Sequence, residues 1–227
     1  MIECVPNFSE GRNPETIDAI VASILSVPGT MVLHRTSDWD HNRTVVTFAG
    51  REESVLESAI RATAVAAARI DLHKHRGVHP RLGALDVLPF IPLDGATIQD
   101  CIAIAHRAGE RIWSELGIPV YFYEAAAKHA HRRRLEDVRR GEFESLRLEV
   151  HTEHGKRPDI GGPHLHPTAG AVIVGARKFL IAYNINLGTS DLTVAKEIAR
   201  SIRASSGGLP AVKALGLALP SRGLVQV

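Results

Sequence analysis

Cysteine is nearly absent: Cys4 and Cys101 are the two thiols in 227 residues. Far apart and without paired spacing, they support neither a disulfide framework nor a thiolate metal site, and a reducing compartment fits them. Aromatic residues make up 5% and the net charge is +2, which leaves no massed basic, stacking surface for a nucleic acid. No run approaches the ~18 uninterrupted apolar residues of a membrane span. The opening Met-Ile-Glu-Cys-Val-Pro carries neither a basic nor an apolar leader region. The expectation is a soluble cytoplasmic protein with no nucleic-acid or membrane partner. With 44% hydrophobic and 23% charged residues, the chain can fill a sizeable core and is ordinary for a folded protein.

What is present is a regular alternation of strand and helix patterns. Ile2 to Pro6 reads as a first strand leaving through Asn7-Phe8-Ser9-Glu10-Gly11. Asn13 before Pro14 suits an N-cap followed by the first helical position, and Ile17, Ile20, Val21, Ile24 and Leu25 share one helical face. Strands are predicted at Thr30 to His34 and Arg43 to Phe48, with a helix over Glu52 to Ile70. A strand follows at Leu85 to Ile91, where Pro89 calls for an edge or a bulge. Thr97 then caps a helix that Gly117 stops near Leu116. Beyond it lie a strand at Val120 to Tyr123, helical patterning from Glu124 to about Val138, and strands at Ala171 to Val174 and Phe179 to Leu187. A helix from about Asp191 to Ala204 and strands at Val212 to Leu219 and Leu224 to Val227 complete the pattern.

The order strand, helix, strand, strand occurs twice, from Ile2 to Gly50 and from Phe179 to Val227. In the first unit a helix and a strand follow, completing a ferredoxin-like β-α-β-β-α-β arrangement. The second stops inside its fourth element, which calls for further chain or a covering partner, a homodimer being one solution.

Four clusters could carry chemistry. In Arg76-Gly77-Val78-His79-Pro80-Arg81-Leu82-Gly83, Pro80 keeps His79 out of helical backbone and two glycines permit close approach. His79 is the candidate general acid/base and Arg81 a candidate for a carboxylate, with turn filler as the plain alternative. Asp38, Asp40, His41, Asn42 and Arg43 crowd one loop, either as turn chemistry or to orient a polar substrate through the Arg43 fork. Gly161 to Gly170 is either a linker or a backbone-rich wall for a flat heterocycle. The basic run from Lys128 to Arg140 reads as a solvated helix face or an anion patch. Histidines at 73, 75, 79, 151, 154, 164 and 166 raise a metal hydrolase as a rival, but Gly77 and Pro80 spoil the helical spacing of His75 and His79.

Four blocks in collinear order give these clusters a context: Glu3-Cys4-Val5-Pro6-Asn7-Phe8-Ser9-Glu10-Gly11, Asn42-Arg43-Thr44-Val45, His79-Pro80-Arg81-Leu82-Gly83-Ala84-Leu85-Asp86-Val87, and Gly175-Ala176-Arg177-Lys178-Phe179-Leu180-Ile181-Ala182-Tyr183-Asn184-Ile185-Asn186-Leu187. Together they resemble the glutamate formiminotransferase family, including the amino-terminal part of formiminotransferase-cyclodeaminase. The resemblance implies an α/β (α+β) fold with an N-terminal subdomain over residues 1–178 and a partial C-terminal subdomain over 179–227. It implies transfer of a formimino group from N-formimino-L-glutamate to N5 of tetrahydrofolate, in one-carbon metabolism and histidine breakdown. His79 then matches the catalytic histidine, and Gly161, Gly162, Pro163, His164, Leu165, His166, Pro167, Thr168, Ala169 and Gly170 match the folate-lining stretch. On charge grounds Arg43 and Arg81 are expected to take the substrate carboxylates, and no metal is expected. A non-catalytic folate-binding or interaction protein on the same scaffold is the rival, warranted by the incomplete second unit.

Overall fold

The computed structural model describes all 227 residues, and local chemistry sets where its helices begin and end. Helix α1 (Pro14–Leu25) starts where the Asn13 side chain accepts a hydrogen bond from the amide of Thr16. Helix α3 (Ile98–Leu116) opens with a reciprocal box between Thr97 and Asp100 and ends at Gly117, whose φ of 65° few other residues would accept. Between them α2 (Glu52–Arg69) opens on Glu52 and Glu53, which suit the positive end of a helix.

The main sheet has seven strands. Strands β1 (Ile2–Cys4) and β2 (Asn7–Phe8) are halves of one interrupted strand, flanked on one side by β4 (Arg43–Gly50) and on the other by β5 (Leu85–Pro92). β3 (Thr30–Asp38) pairs with the outer side of β4. The first 92 residues thus form the complete ferredoxin-like unit, with strand order β5, β1/β2, β4, β3. Two strands parallel to β5 extend it: β7 (Val172–Ala176) beside β5, and β6 (Val120–Glu124) beyond. Pro89, expected at an edge or a bulge, lies inside the sheet. Its carbonyl accepts from the amide of Val5 while Gly175 faces it on β7, and the ladder breaks on the β1/β2 side, at Val5-Pro6.

A core of 33 buried residues fills the space between this sheet and α1 to α3, large enough to make this layer the rigid part of the molecule. The other face of β5, β7 and β6 carries a smaller cluster, including Val87, Tyr121, Tyr123 and Ile173, covered by Val138, Leu146 and Val150. Those covering residues come from α4 (Leu135–Val138) and α5 (Glu142–Thr152). Here the helix expected from Glu124 to Val138 is corrected. Residues 125–134 turn through a single 3-10 turn at Ala130–Arg132, because Arg132 is drawn in to pair with the buried carboxylate of Asp159 at 2.8 Å. Helix α5 had no separate expectation.

The second unit has β8 (Asn186–Leu187), α6 (Leu192–Ile202), β9 (Leu217–Leu219) and β10 (Leu224–Gln226), with sheet order β8, β10, β9. This is the order β1/β2, β4, β3 of the first unit over again, with nothing on the free side of β8. Two strands are shorter than their apolar runs suggested. Phe179 to Ile185 is a nearly continuous apolar run, but only its last residue finds a ladder partner, Ile185 exchanging bonds with Val227. Val212 to Gly216 likewise stays outside the ladder.

Candidate active site

His79 stands at the lip of a cavity of about 880 Å³ between the two units. Leu180, Arg203 and Lys213 of the second unit face Tyr123, Arg139 and Arg177 of the first across it. The loop bearing His79 is held by close backbone approach. A Cβ on Gly77 would overlap the carbonyl of His41, and one on Gly83 that of Ala171, so glycine at both positions lets the loop nest on its neighbours. Four non-glycine residues have left-handed backbone: Asn42, Glu124, Glu142 and Ala211. Glu124, Glu142 and Ala211 line the cavity, and Asn42 anchors the adjoining loop through the amide of Gly11 and the carbonyl of Arg76. Strain gathered in this way marks a functional site.

Beneath His79 lies a buried charge cluster. Asp86 accepts from Arg43 at 2.8 Å, from Arg139 at 2.5 Å and from the amide of Leu82 at 2.8 Å. Burial alone would raise its pKa, but the Arg139 and Arg43 guanidiniums carry it down to about 2. The same two cations, which favour the charged carboxylate, disfavour a charged imidazole at His79. Burial first, then Arg43 and Arg139, push the imidazole down to about 2, so it is neutral throughout the physiological range. Its Nδ1 lies 2.8 Å from the carbonyl of Pro80. A carbonyl only accepts, so Nδ1 carries the proton and Nε2 is left with a free lone pair. The ring of His41 sits 5.6 Å away, and its Nε2 is buried without a hydrogen-bond partner, an exception of the kind that working sites hold.

Each arginine expected to face substrate is already engaged. Arg81, 8% exposed, binds Glu144 at 2.6 Å and Glu142 at 3.2 Å and donates to His75 Nδ1. Arg43 spans Asp86 and the Asn7 side chain. Of the two, Arg43 lies in the charge cluster that sets His79. Among the residues Gly161 to Gly170, none lines the cavity. The segment packs instead on the loop ends, through Thr168 to Leu72, Ala169 to Ala84, and Pro167 to His73.

Comparison with known proteins supplies the context for this geometry. Residues 1–177 match the formiminotransferase domain, N-terminal subdomain. The whole chain is 44% identical to the glutamate formimidoyltransferase of Streptococcus pyogenes serotype M1, covering 76% of that protein. It is 43% identical to the enzyme of the same name from Thermoplasma acidophilum, covering 75% of it. Against formimidoyltransferase-cyclodeaminase of Sus scrofa it is 44% identical and spans 43% of the longer protein.

The chain belongs to the formiminotransferase family. It is therefore one of the transferases of one-carbon groups. Around this cavity, Asp86, Arg177 and Arg203 are residues for which the sequence suggested no role, and Arg139, read only as part of a solvated face or an anion patch, pairs instead with the buried Asp86. Asp86 had a visible signal, a lone carboxylate at the head of a buried apolar strand, which demands a buried cation. Arg203, at the end of an amphipathic helix, had none. No helix is long and apolar enough to cross a membrane.

Proposed function

We propose that this formiminotransferase is a glutamate formimidoyltransferase, moving the formimino group of N-formimino-L-glutamate to N5 of tetrahydrofolate, with His79 as the proton carrier. The observation that carries the reading is the pairing of a neutral imidazole, its Nε2 free, with a cavity walled by arginines. N5 attacks the amidine carbon, and the N5–C bond forms as the bond from carbon to the glutamate nitrogen breaks. Nε2 of His79 takes the proton from N5 and hands it to the departing nitrogen, leaving 5-formimino-tetrahydrofolate and L-glutamate. One positioned group can serve both transfers because attacking and leaving nitrogens share one carbon.

Burial, aided by Arg43 and Arg139, keeps His79 unprotonated, and Asp86 allows two guanidiniums to lie so close together. Arg43 thus bears on the reaction through the imidazole, and Arg81 by fastening the loop to α5 through Glu142 and Glu144. Direct carboxylate binding by these two arginines would first have to displace their present acid partners. Tetrahydrofolate is a long molecule of which only N5 must reach His79. The remainder is proposed to cross the loop toward Gly161 to Gly170, which abuts it at Leu72 and Ala84. Purified protein incubated with both substrates should form 5-formimino-tetrahydrofolate, detected by its absorbance and mass. Binding of tetrahydrofolate with no product over hours would favour the non-catalytic folate-binding reading.

A further inference from the structure

We propose that Arg177 and Arg203 form a two-sided clamp for the carboxylates of the formimino donor, Arg177 taking the α-carboxylate and Arg203 the side-chain carboxylate. This rests on the function proposed above. Most cations of the cavity are already paired with a carboxylate. Arg139 is spent on Asp86, Arg134 on Glu136, and Lys213 on Glu124 and Glu136. Neither Arg177 nor Arg203 is in an ion pair: Arg177 donates to the carbonyl of Lys178 and lies against the Tyr123 phenol, with Glu3 acting on it only from a distance, and Arg203 donates to the hydroxyl of Ser206. Both are half-buried and both line the cavity that holds His79. A half-buried guanidinium without a counter-charge, set in a cavity, is a ready receptor for a carboxylate, which its planar fork binds at two points.

The assignment of each arginine follows from the wall that carries it. Arg177 follows directly on β7, in the same unit as His79 and beside Tyr123, whose phenol burial pushes up to about 12. That phenol therefore stays protonated, a neutral neighbour that leaves the guanidinium's charge intact. In the donor, the α-carboxylate and the amidine nitrogen sit on the same carbon, so this carboxylate belongs on the wall that holds the base. Arg203 caps α6 on the opposite wall, within reach of a second carboxylate further along the molecule. A dicarboxylate bound this way bridges the two units, whereas a monocarboxylate holds only one.

The test is calorimetric binding of N-formimino-L-glutamate and of N-formimino-L-alanine, which lacks the side-chain carboxylate, to wild type, Arg177→Met, Arg177→Lys and Arg203→Met. Arg203→Met should weaken the glutamate donor about 10- to 100-fold and leave the alanine analogue unchanged. Arg177→Met should weaken both by a similar factor, and Arg177→Lys should restore part of the loss. Circular dichroism and the affinity for tetrahydrofolate serve as controls for folding. Should wild type bind the donor and Arg203→Met bind both ligands as wild type does, or lose both equally, the clamp is wrong while the transferase reading stands. Should folded wild type bind no N-formimino-L-glutamate at all, the proposed function itself fails.

Discussion

The two units repeat one strand order and differ in what holds them. In the first, the interrupted strand β1/β2 is closed on both sides, by β4 and β5, and three helices seal a core of 33 residues. In the second, β8 has a partner on one side only, and the buried apolar residues of α6 and its sheet reduce to Ala195, Ala199, Leu219 and Val225. The first unit is built to hold His79 still. The second is tied to it largely by polar contacts: Ser221 donates from its amide and hydroxyl to Asp40, Arg222 pairs with Asp38, and Lys213 with Glu124 and Glu136. One scaffold thus serves as a rigid base in the first case and as a lightly cored second wall of the cavity in the other.

The sharpest way to break this contrast is to remove the ion cluster under His79. Asp86→Asn leaves Arg43 and Arg139 buried without their counter-charge, and urea denaturation should show a loss of about 3–5 kcal/mol. Next in size is the acid response of His79. The unfolded chain takes up a proton near pH 6.5 that the folded imidazole refuses down to about 2. His79 therefore costs nothing above pH 6.5 and subtracts stability as the pH falls below it. Between pH 7 and pH 4.5 wild type should lose about 2.5 kcal/mol more than His79→Gln, measured by denaturation at both pH values.

A smaller effect isolates the second unit. Burial would raise the pKa of Asp40, but the Ser221 hydrogen bonds, with Arg222 and Arg12, hold it below the usual range. Asp40→Ala should cost about 1 kcal/mol and speed hydrogen exchange in residues 186–226 while leaving 85–92 unchanged. Equal loosening of both segments would mean the units are one cooperative body. The smallest effect is expected at Arg107, whose pairs with Glu52 and Glu53 are solvent-exposed. Arg107→Ala should shift stability by about 0.5 kcal/mol.

How far the sequence could be read follows the same division. Chemistry local to a few residues was legible: the Asn13 and Thr97 caps, the stop at Gly117, the repeated strand order, and the glycines that let the His79 loop nest. Pairings between distant residues were not. Asp86 meets Arg43 and Arg139 only once the sheet has formed, and both Arg43 and Arg81 look like free cations until Asn7, Asp86, Glu142 and Glu144 arrive beside them. Phe179 to Ile185 was read as a strand, and an apolar run of that length says nothing about whether a partner lies alongside its edge.

The central claim is that a neutral His79 carries the proton between the two nitrogens. It is tested most directly by the rate of formimino transfer at saturating substrates in wild type and His79→Asn, followed from pH 5 to 8. The account predicts a fall of roughly 10²- to 10⁴-fold in the variant, substrate affinities little changed, and a wild-type profile with no acid limb near pH 6.5. A variant within tenfold of wild type, or a wild-type rate that collapses below pH 6.5, would contradict it.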